Sequence, residues 1–233
     1  MKGELEQTLL RNLNYVKERI AIACNKVARK PEDIKILGAS KRQSPEKIRF
    51  LYNYGITLFG ENYVQEAEEK ITALEDLSIE WHFIGRLQTN KVKRAIKLFH
   101  MIETVDRKEL ALELEKRLSK ENKTMPILLE VNIGGEPTKG GIRVEELESF
   151  CEVIQQLKHL EVRGLMCLPP LEEDANRVRP YFVKMRELFE RFKPFFGESF
   201  RELSMGTSHD FEVAIEEGAT IIRLGSILFG PRL

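Results

Sequence analysis

From residue 3 to residue 29 apolar side chains recur at helical spacing. Leu9, Leu10, Leu13, Val16, Ile20, Ile22 and Val27 are separated by charges, which predicts one amphipathic helix closed by Pro31. Beyond it the texture changes. Short apolar runs (IKILGAS, TLFG, WHFIG, HMIETV, PILLEVNI, LEVRGLM, ELSMG and TIIRLGS) alternate with charged segments of helical period. Those segments are PEKIRFLYNYG, NYVQEAEEKITALE, DRKELALELEKRLSKEN, VEELESFCEVIQQLKHL and ANRVRPYFVKMRELFERFK. Strands apolar on both faces belong to parallel sheets covered by helices. Eight such units in βα order predict a (β/α)8 TIM barrel with an extra N-terminal helix, as one α/β domain over residues 1–233. The alternative is an open doubly wound sheet. Its dinucleotide fingerprint GxGxxG is missing after the first strand, where GASKRQ has only Gly38.

Charge narrows the function classes. The 37 basic and 37 acidic residues cancel, so no chain-wide field recruits nucleic acid, and the basic segment NKVKRAIK reads as a solvated helix face. The N-terminus is charged throughout and no long apolar stretch occurs, which predicts neither signal peptide nor membrane span and a cytoplasmic, monomeric protein. Cys24, Cys151 and Cys167 are widely spaced and odd in number, a pattern for buried reduced thiols rather than disulfides or a metal site.

In a barrel the C-terminal strand ends share one face. On that face the sequence places Ser40 and Lys41; Gly60, Glu61 and Asn62; His82, Gly85 and Arg86; Asn132; Met166; Ser204 to Ser208; and Arg223 to Ser226. Singly, each has a structural reading: Lys41 snorkels to solvent, His82 is a hydrogen-bonded core histidine, and Glu61 and Asn62 cap the next helix. Jointly they converge. Ser208 is expected as the N-cap of a helix through HDFEVAIEEG, while Gly225 and Ser226 open a short turn or helix. Amides and hydroxyls without nearby carboxylates, after the last two strands, predict a phosphate site. Lys41 at the mouth of the core suits a carbonyl ligand held as a Schiff base, because a partly desolvated amine loses its proton more readily. Pyridoxal phosphate meets both requirements; a sugar-phosphate lyase or isomerase with Lys41 as its base also fits. An arginine at position 223 aimed at a pyridine nitrogen only donates, which leaves that nitrogen unprotonated and the ring a weak electron sink. The Gly-rich loop GGEPTKGG, residues 134–141, follows strand five and is expected to be mobile.

The ordered motifs ILGASKRQSPEKIR, FGENYVQE, WHFIGRLQTNK, VNIGGEPTKGGI, RGLMCLPP, SMGTSHDFEVAIEEGAT and IRLGSILFGPR resemble the pyridoxal phosphate homeostasis protein family (YggS/PROSC) from about residue 34 onward. The resemblance implies the fold-type III pyridoxal-phosphate barrel, similar to the N-terminal domain of alanine racemase. It also implies pyridoxal 5'-phosphate as cofactor and Lys41 as the Schiff-base lysine. Ser208, Gly225, Ser226 and Thr207 become the phosphate cradle, and Arg223 the ring-nitrogen arginine. Asn62, His82, Asn132, Met166 and Ser204 are expected around the pocket, and Lys139 matches a second family lysine. Alanine racemase needs a tyrosine from a further β-domain, for which the chain ending at Leu233 is expected to leave no room; Tyr15, Tyr52, Tyr54, Tyr63 and Tyr181 fall mostly on predicted helices. The expected role is therefore to hold pyridoxal phosphate and deliver it to apo-enzymes, without turnover. A low-activity amino-acid racemase is the alternative, and a ligand-free scaffold using NKVKRAIK a third reading.

Overall fold

The computed structural model describes residues 2–230. The elements in chain order are α1 (Lys2–Lys26), β1 (Lys35–Ala39), α2 (Pro45–Asn53), β2 (Leu58–Glu61), α3 (Val64–Ala73), β3 (Glu80–Phe83), α4 (Val92–Leu98), β4 (Met101–Val105) and α5 (Lys108–Glu121). They continue as β5 (Met125–Asn132), β6 (Ile142–Arg143), α6 (Leu147–Ile154), β7 (Leu160–Cys167), α7 (Arg179–Phe196), β8 (Glu202–Thr207), α8 (Phe211–Glu216), β9 (Ile221–Leu224) and α9 (Ser226–Phe229). Parallel pairing runs β4-β3-β2-β1-β9-β8-β7-β5, and β4 also pairs with β5. That last pairing closes the barrel and rules out the open sheet. The two-residue β6, absent from the sequence reading, pairs with the end of β5.

Side chains alternate across each strand. Phe59, Trp81, Ile102, Ile127, Leu165, Leu203 and Ile222 join the helices in one outer core. The barrel interior is different. Leu37, Leu58, Ile84 and Ile221 form one inner apolar patch, and Met101, Leu128 and Met166 form another. Buried polar residues His82, Glu103, Ser204 and Arg223 stand on β3, β4, β8 and β9, so the interior carries a polar seam where barrels of this type usually stack branched apolar side chains.

Three helix boundaries depart from the periodic pattern. α1 ends at Lys26, ahead of Ala28 at φ 54 and a 3-10 turn over Pro31–Asp33. It is held to α8 by Arg19 Nε to Glu212 Oε1 at 2.9 Å and Lys26 Nζ to Glu216 Oε1 at 2.7 Å, ion pairs that hydrophobic spacing does not encode. The segment expected helical over 144–160 is a 3-10 turn followed by α6, which stops at Ile154. The segment expected over 175–193 begins as a 3-10 turn, Ala175–Val178, because Asp174 accepts Asn176 N–H at 2.9 Å; α7 then starts at Arg179.

Gly206 shapes the mouth. It adopts φ +94, a Cβ there would stand 2.6 Å from the Ala214 Cβ, and the β8–β9 register shifts between Ser204 and Thr207. A glycine is thus required for β8 to bend and carry Thr207 and Ser208 over the barrel end. Among the described residues no helix is long and apolar enough to cross a membrane, no cluster of metal-ligating side chains occurs, and Cys24, Cys151 and Cys167 are free and buried.

Candidate functional site

A cavity of about 340 Å³ opens at the C-terminal ends of β1, β2, β8 and β9, within the range of small-molecule sites. Its wall contains Lys41, Asn62, Thr207, Ser208, Arg223, Gly225 and Ser226, together with Ala39, Ile84, Leu168 and His209, which the sequence reading did not single out. Volume alone does not select it. A cavity of about 490 Å³ lies between α6, α7 and the start of β7, but no group of polar side chains from several strands converges there.

Lys41 sits in the turn after β1, between Ser40, whose N–H donates to Gly60 O at 3.0 Å, and Arg42 at φ 61. Its ammonium lies 5.9 Å from the Tyr63 ring centroid. Asn62 lines the same mouth, with the chain just after β3 packed close against its backbone: a Cβ on Gly85 would fall 2.2 Å from Asn62 O.

Arg223 enters from β9, next to β1. Its Nη2 donates to Cys167 O at 2.7 Å and its Nη1 to Ser204 Oγ at 2.7 Å. Ser204 passes the interaction on, donating to Glu103 Oε2 at 2.5 Å. Glu103 Oε1 lies 2.6 Å from His82 Nδ1, and His82 Nε2 lies 3.0 Å from Glu80 Oε1. This is the polar seam of the barrel interior. Burial by itself works against a cation at His82, yet the bonds to Glu103 and Glu80 outweigh it and raise its pKa to about 9. Glu103 is fully buried; burial opposes its charge, but the His82 bond and the His82 and Arg223 charges hold it below the ordinary carboxylate value. Two of the five guanidinium N–H groups of Arg223 are therefore occupied, and the side chain lines the cavity.

The opposite wall offers hydroxyls and amides. Ser208 Oγ accepts Gly225 N–H at 3.2 Å and Ile227 N–H at 3.3 Å, which leaves its own hydrogen to donate elsewhere. Here the structure corrects the sequence reading. Ser208 does not cap α8, which begins at Phe211 after Asp210; the hydroxyl faces the start of α9 instead. A carboxylate is also present: Asp210 Oδ1 accepts Thr207 N–H at 2.6 Å and Thr207 Oγ1 at 3.1 Å. Thr207 lines the cavity with its amide already engaged.

The sequence profile of the alanine racemase N-terminal domain matches residues 38–232. A curated relative from Aquifex aeolicus (strain VF5), named pyridoxal phosphate homeostasis protein, is 51% identical over 220 residues, which is 94% of this chain and 96% of its own. The protein of the same name from Escherichia coli (strain K12) is 35% identical over 224 residues, 95% of each chain. This chain belongs to the pyridoxal phosphate homeostasis protein family. Among solved structures, PipY of Synechococcus elongatus PCC7942, crystallised with pyridoxal phosphate bound, superposes with a TM-score of 0.81 at 33% identity over 92% of this chain and all of PipY. Alanine racemase from Corynebacterium glutamicum shares the fold alone, with a TM-score of 0.71 at 13% identity over 96% of this chain and 60% of the racemase.

Within this family member, four of the expected pocket residues stand away from the cavity wall. His82 and Ser204 lie in the polar seam below it, and Ser204 reaches the site only through Arg223. Met166 packs with Met101 and Leu128 in an inner apolar patch. Asn132 fastens its own loop, donating to Glu136 O at 2.9 Å and accepting Glu136 N–H at 3.2 Å. Lys139, expected in a mobile loop, bonds Glu136 Oε2 at 2.6 Å and Pro169 O at 3.0 Å and so ties two mouth loops together. Glu61 is no helix cap: it is buried and accepts from Ser40 Oγ at 2.6 Å and Lys70 Nζ at 2.7 Å.

Sequence reasoning missed Glu103 and Glu130. The signal for each was a carboxylate within a predominantly apolar strand run, HMIETV and PILLEVNI. Glu130 is nearly buried, and burial, reinforced by Asp106 and offset in part by Arg223, Arg86 and Arg107, pushes its pKa up to about 7.

Proposed function

We propose that this chain binds pyridoxal 5'-phosphate in the cavity at the ends of β1, β2, β8 and β9 and serves its homeostasis, holding it reversibly for delivery to apo-enzymes. The observation that carries this reading is the convergence, in one cavity of about 340 Å³, of an amine (Lys41), a guanidinium (Arg223) and the hydroxyl groups of Ser208 and Ser226 beside Gly225. The residues fit the group. Ser208 has a hydrogen left to donate, Arg223 has unspent donors, and Lys41 is the amine of the wall.

When bound, the cofactor supplies an aldehyde. Lys41 Nζ is the group that would hold that aldehyde reversibly, so that the ligand could be taken up and given back unchanged. Arg223 would be the donor to the ring nitrogen, which a guanidinium could hydrogen-bond but not protonate. The Ser208 and Ser226 hydroxyls would hold the phosphate, while the Gly225 and Ile227 amides are spent on Ser208 Oγ and keep that hydroxyl in place. A holding role, as opposed to turnover, accords with the names of the relatives.

An absorbance spectrum of purified protein with added pyridoxal phosphate, before and after borohydride, followed by peptide mapping, tests this. The expected result is a yellow chromophore fixed irreversibly on Lys41 and lost in Lys41→Ala. A colourless protein that ignores the added ligand overturns the assignment.

A further inference from the structure

Lys70 occupies a position that its charge does not suit. The buried stripe of α3 runs Val64, Ala67, Lys70, and Lys70 is 5% exposed. An ammonium in such a stripe persists only if its donors are satisfied by acceptors, preferably charged. All three donors of Nζ are spent: on Ser40 O at 2.6 Å, Glu61 Oε1 at 2.7 Å and Glu66 Oε1 at 2.6 Å.

Those acceptors bracket one residue. Ser40 O belongs to the residue before Lys41, and the Ser40 hydroxyl is held by the same Glu61 oxygen at 2.6 Å. Glu66 Oε1 also accepts the N–H of Arg42, the residue after Lys41, at 2.5 Å. Arg42 is in the left-handed region, φ 61, which a side chain other than glycine adopts at a cost. Both peptide units around Lys41 are thus pinned to one buried ammonium on another element. The Lys41 side chain itself has only the Tyr63 ring near its ammonium among the described residues.

We propose that Lys70, with Glu61 and Glu66, is the positioning group of Lys41: it sets the turn from which the Lys41 amine reaches an aldehyde ligand, without touching the ligand. The inference rests on the reading of Lys41 as the Schiff-base lysine. Its physical basis is that bond formation depends steeply on where the nucleophile stands, whereas phosphate binding by Ser208, Gly225 and Ser226, on other elements, does not depend on this turn. Without Lys70 the Glu61 carboxylate, whose Oε2 is already without a partner, would have only the Ser40 hydroxyl left, and the turn would lose its anchor.

The test compares wild type, Lys70→Met and Glu66→Gln with two ligands, pyridoxal 5'-phosphate and pyridoxine 5'-phosphate, the second carrying an alcohol in place of the aldehyde. Dissociation constants by equilibrium dialysis are combined with the rate of borohydride-trapped attachment, mapped to Lys41 by mass spectrometry. Lys70→Met is expected to weaken the aldehyde ligand and slow its attachment about tenfold or more, with the alcohol ligand changed by less than about twofold. Glu66→Gln, which keeps the buried ammonium, is expected to fall between Lys70→Met and wild type. Unchanged aldehyde binding and attachment in both variants overturns the proposal, as does equal weakening of both ligands, which would mean the cluster supports the pocket as a whole. If Lys70→Met does not fold, Glu66→Gln decides by the same two comparisons, since Glu66 is partly exposed. Wild type that traps no ligand on Lys41 overturns the proposed function itself, a result visible before any variant is made.

Discussion

Arg223 and Glu103, on strands β9 and β4 at opposite sides of the barrel, are joined through a single hydroxyl: Ser204 Oγ accepts from Arg223 Nη1 at 2.7 Å and donates to Glu103 Oε2 at 2.5 Å. The guanidinium that faces the cavity is therefore aimed from below by a buried carboxylate, with His82 behind it. Removing the bridge leaves two charged groups with unmade bonds in a dry interior.

Ser204→Ala is accordingly expected to cost about 1–3 kcal/mol of folding stability, more than the loss of a surface hydroxyl. It should also loosen the hold on Arg223 and so shift the absorbance maximum of bound pyridoxal phosphate. Urea titration and a spectrum of the loaded variant check both. A variant as stable as wild type with an unaltered spectrum would show that the seam does not orient Arg223.

The seam also sets a pH edge. His82 has its pKa raised from 6.5 to about 9 in the folded protein, so its contribution is complete below pH 6.5 and is lost as pH rises through about 9. For this buried side chain the loss amounts to at most about 3 kcal/mol. Glu103, held below its usual value, acts in the opposite sense: its contribution is present above pH 4.5 and is lost as pH falls through its folded pKa. Urea unfolding of wild type between pH 6 and 10 should show the alkaline decline, and His82→Gln should flatten it. An equal slope in both proteins refutes the assignment.

The cradle is tested by a ligand without a phosphate. Replacing Ser208 and Ser226 by alanine is expected to weaken pyridoxal phosphate much more than pyridoxal, each lost charge-assisted bond contributing on the order of 1.5–3 kcal/mol. Dialysis with both ligands measures the difference. Equal losses would remove the phosphate from this end of the cavity.

Delivery and turnover are separable. Protein loaded with pyridoxal phosphate should reactivate an apo-enzyme, while chiral chromatography of common amino acids incubated with it should show negligible racemisation. The reason is chemical: Lys41 is the one amine of the cavity wall among the described residues, Tyr63 lies beside that same amine, and Arg223 cannot protonate the ring nitrogen. Multiple-turnover racemisation abolished by Lys41→Ala would replace the carrier reading with an enzyme.

The sequence by itself determined the barrel and the neighbourhood of Lys41, Asn62, Ser208, Arg223, Gly225 and Ser226. Runs apolar on both faces, alternating with amphipathic helices, have one common packing solution, and that solution brings the strand ends to one face whatever the details. Tertiary structure alone decided which polar residue faces what. Nothing local distinguishes Ser208 capping its own helix from Ser208 facing α9; Asp210, two residues on, takes the Thr207 amide and settles it. Asn132 was expected at the strand-end face and Lys139 matched a second family lysine, but both are engaged by loop carbonyls and Glu136. Lys70 belongs to a charged segment of helical period, NYVQEAEEKITALE, yet its spacing from Val64 and Ala67 puts it in the buried stripe. Hydrophobic period fixes which side of an element is buried, because burial averages over many residues. The partner of a buried charge is fixed by a few ångströms between residues as distant in sequence as Ser204 and Glu103, and no local pattern encodes that distance.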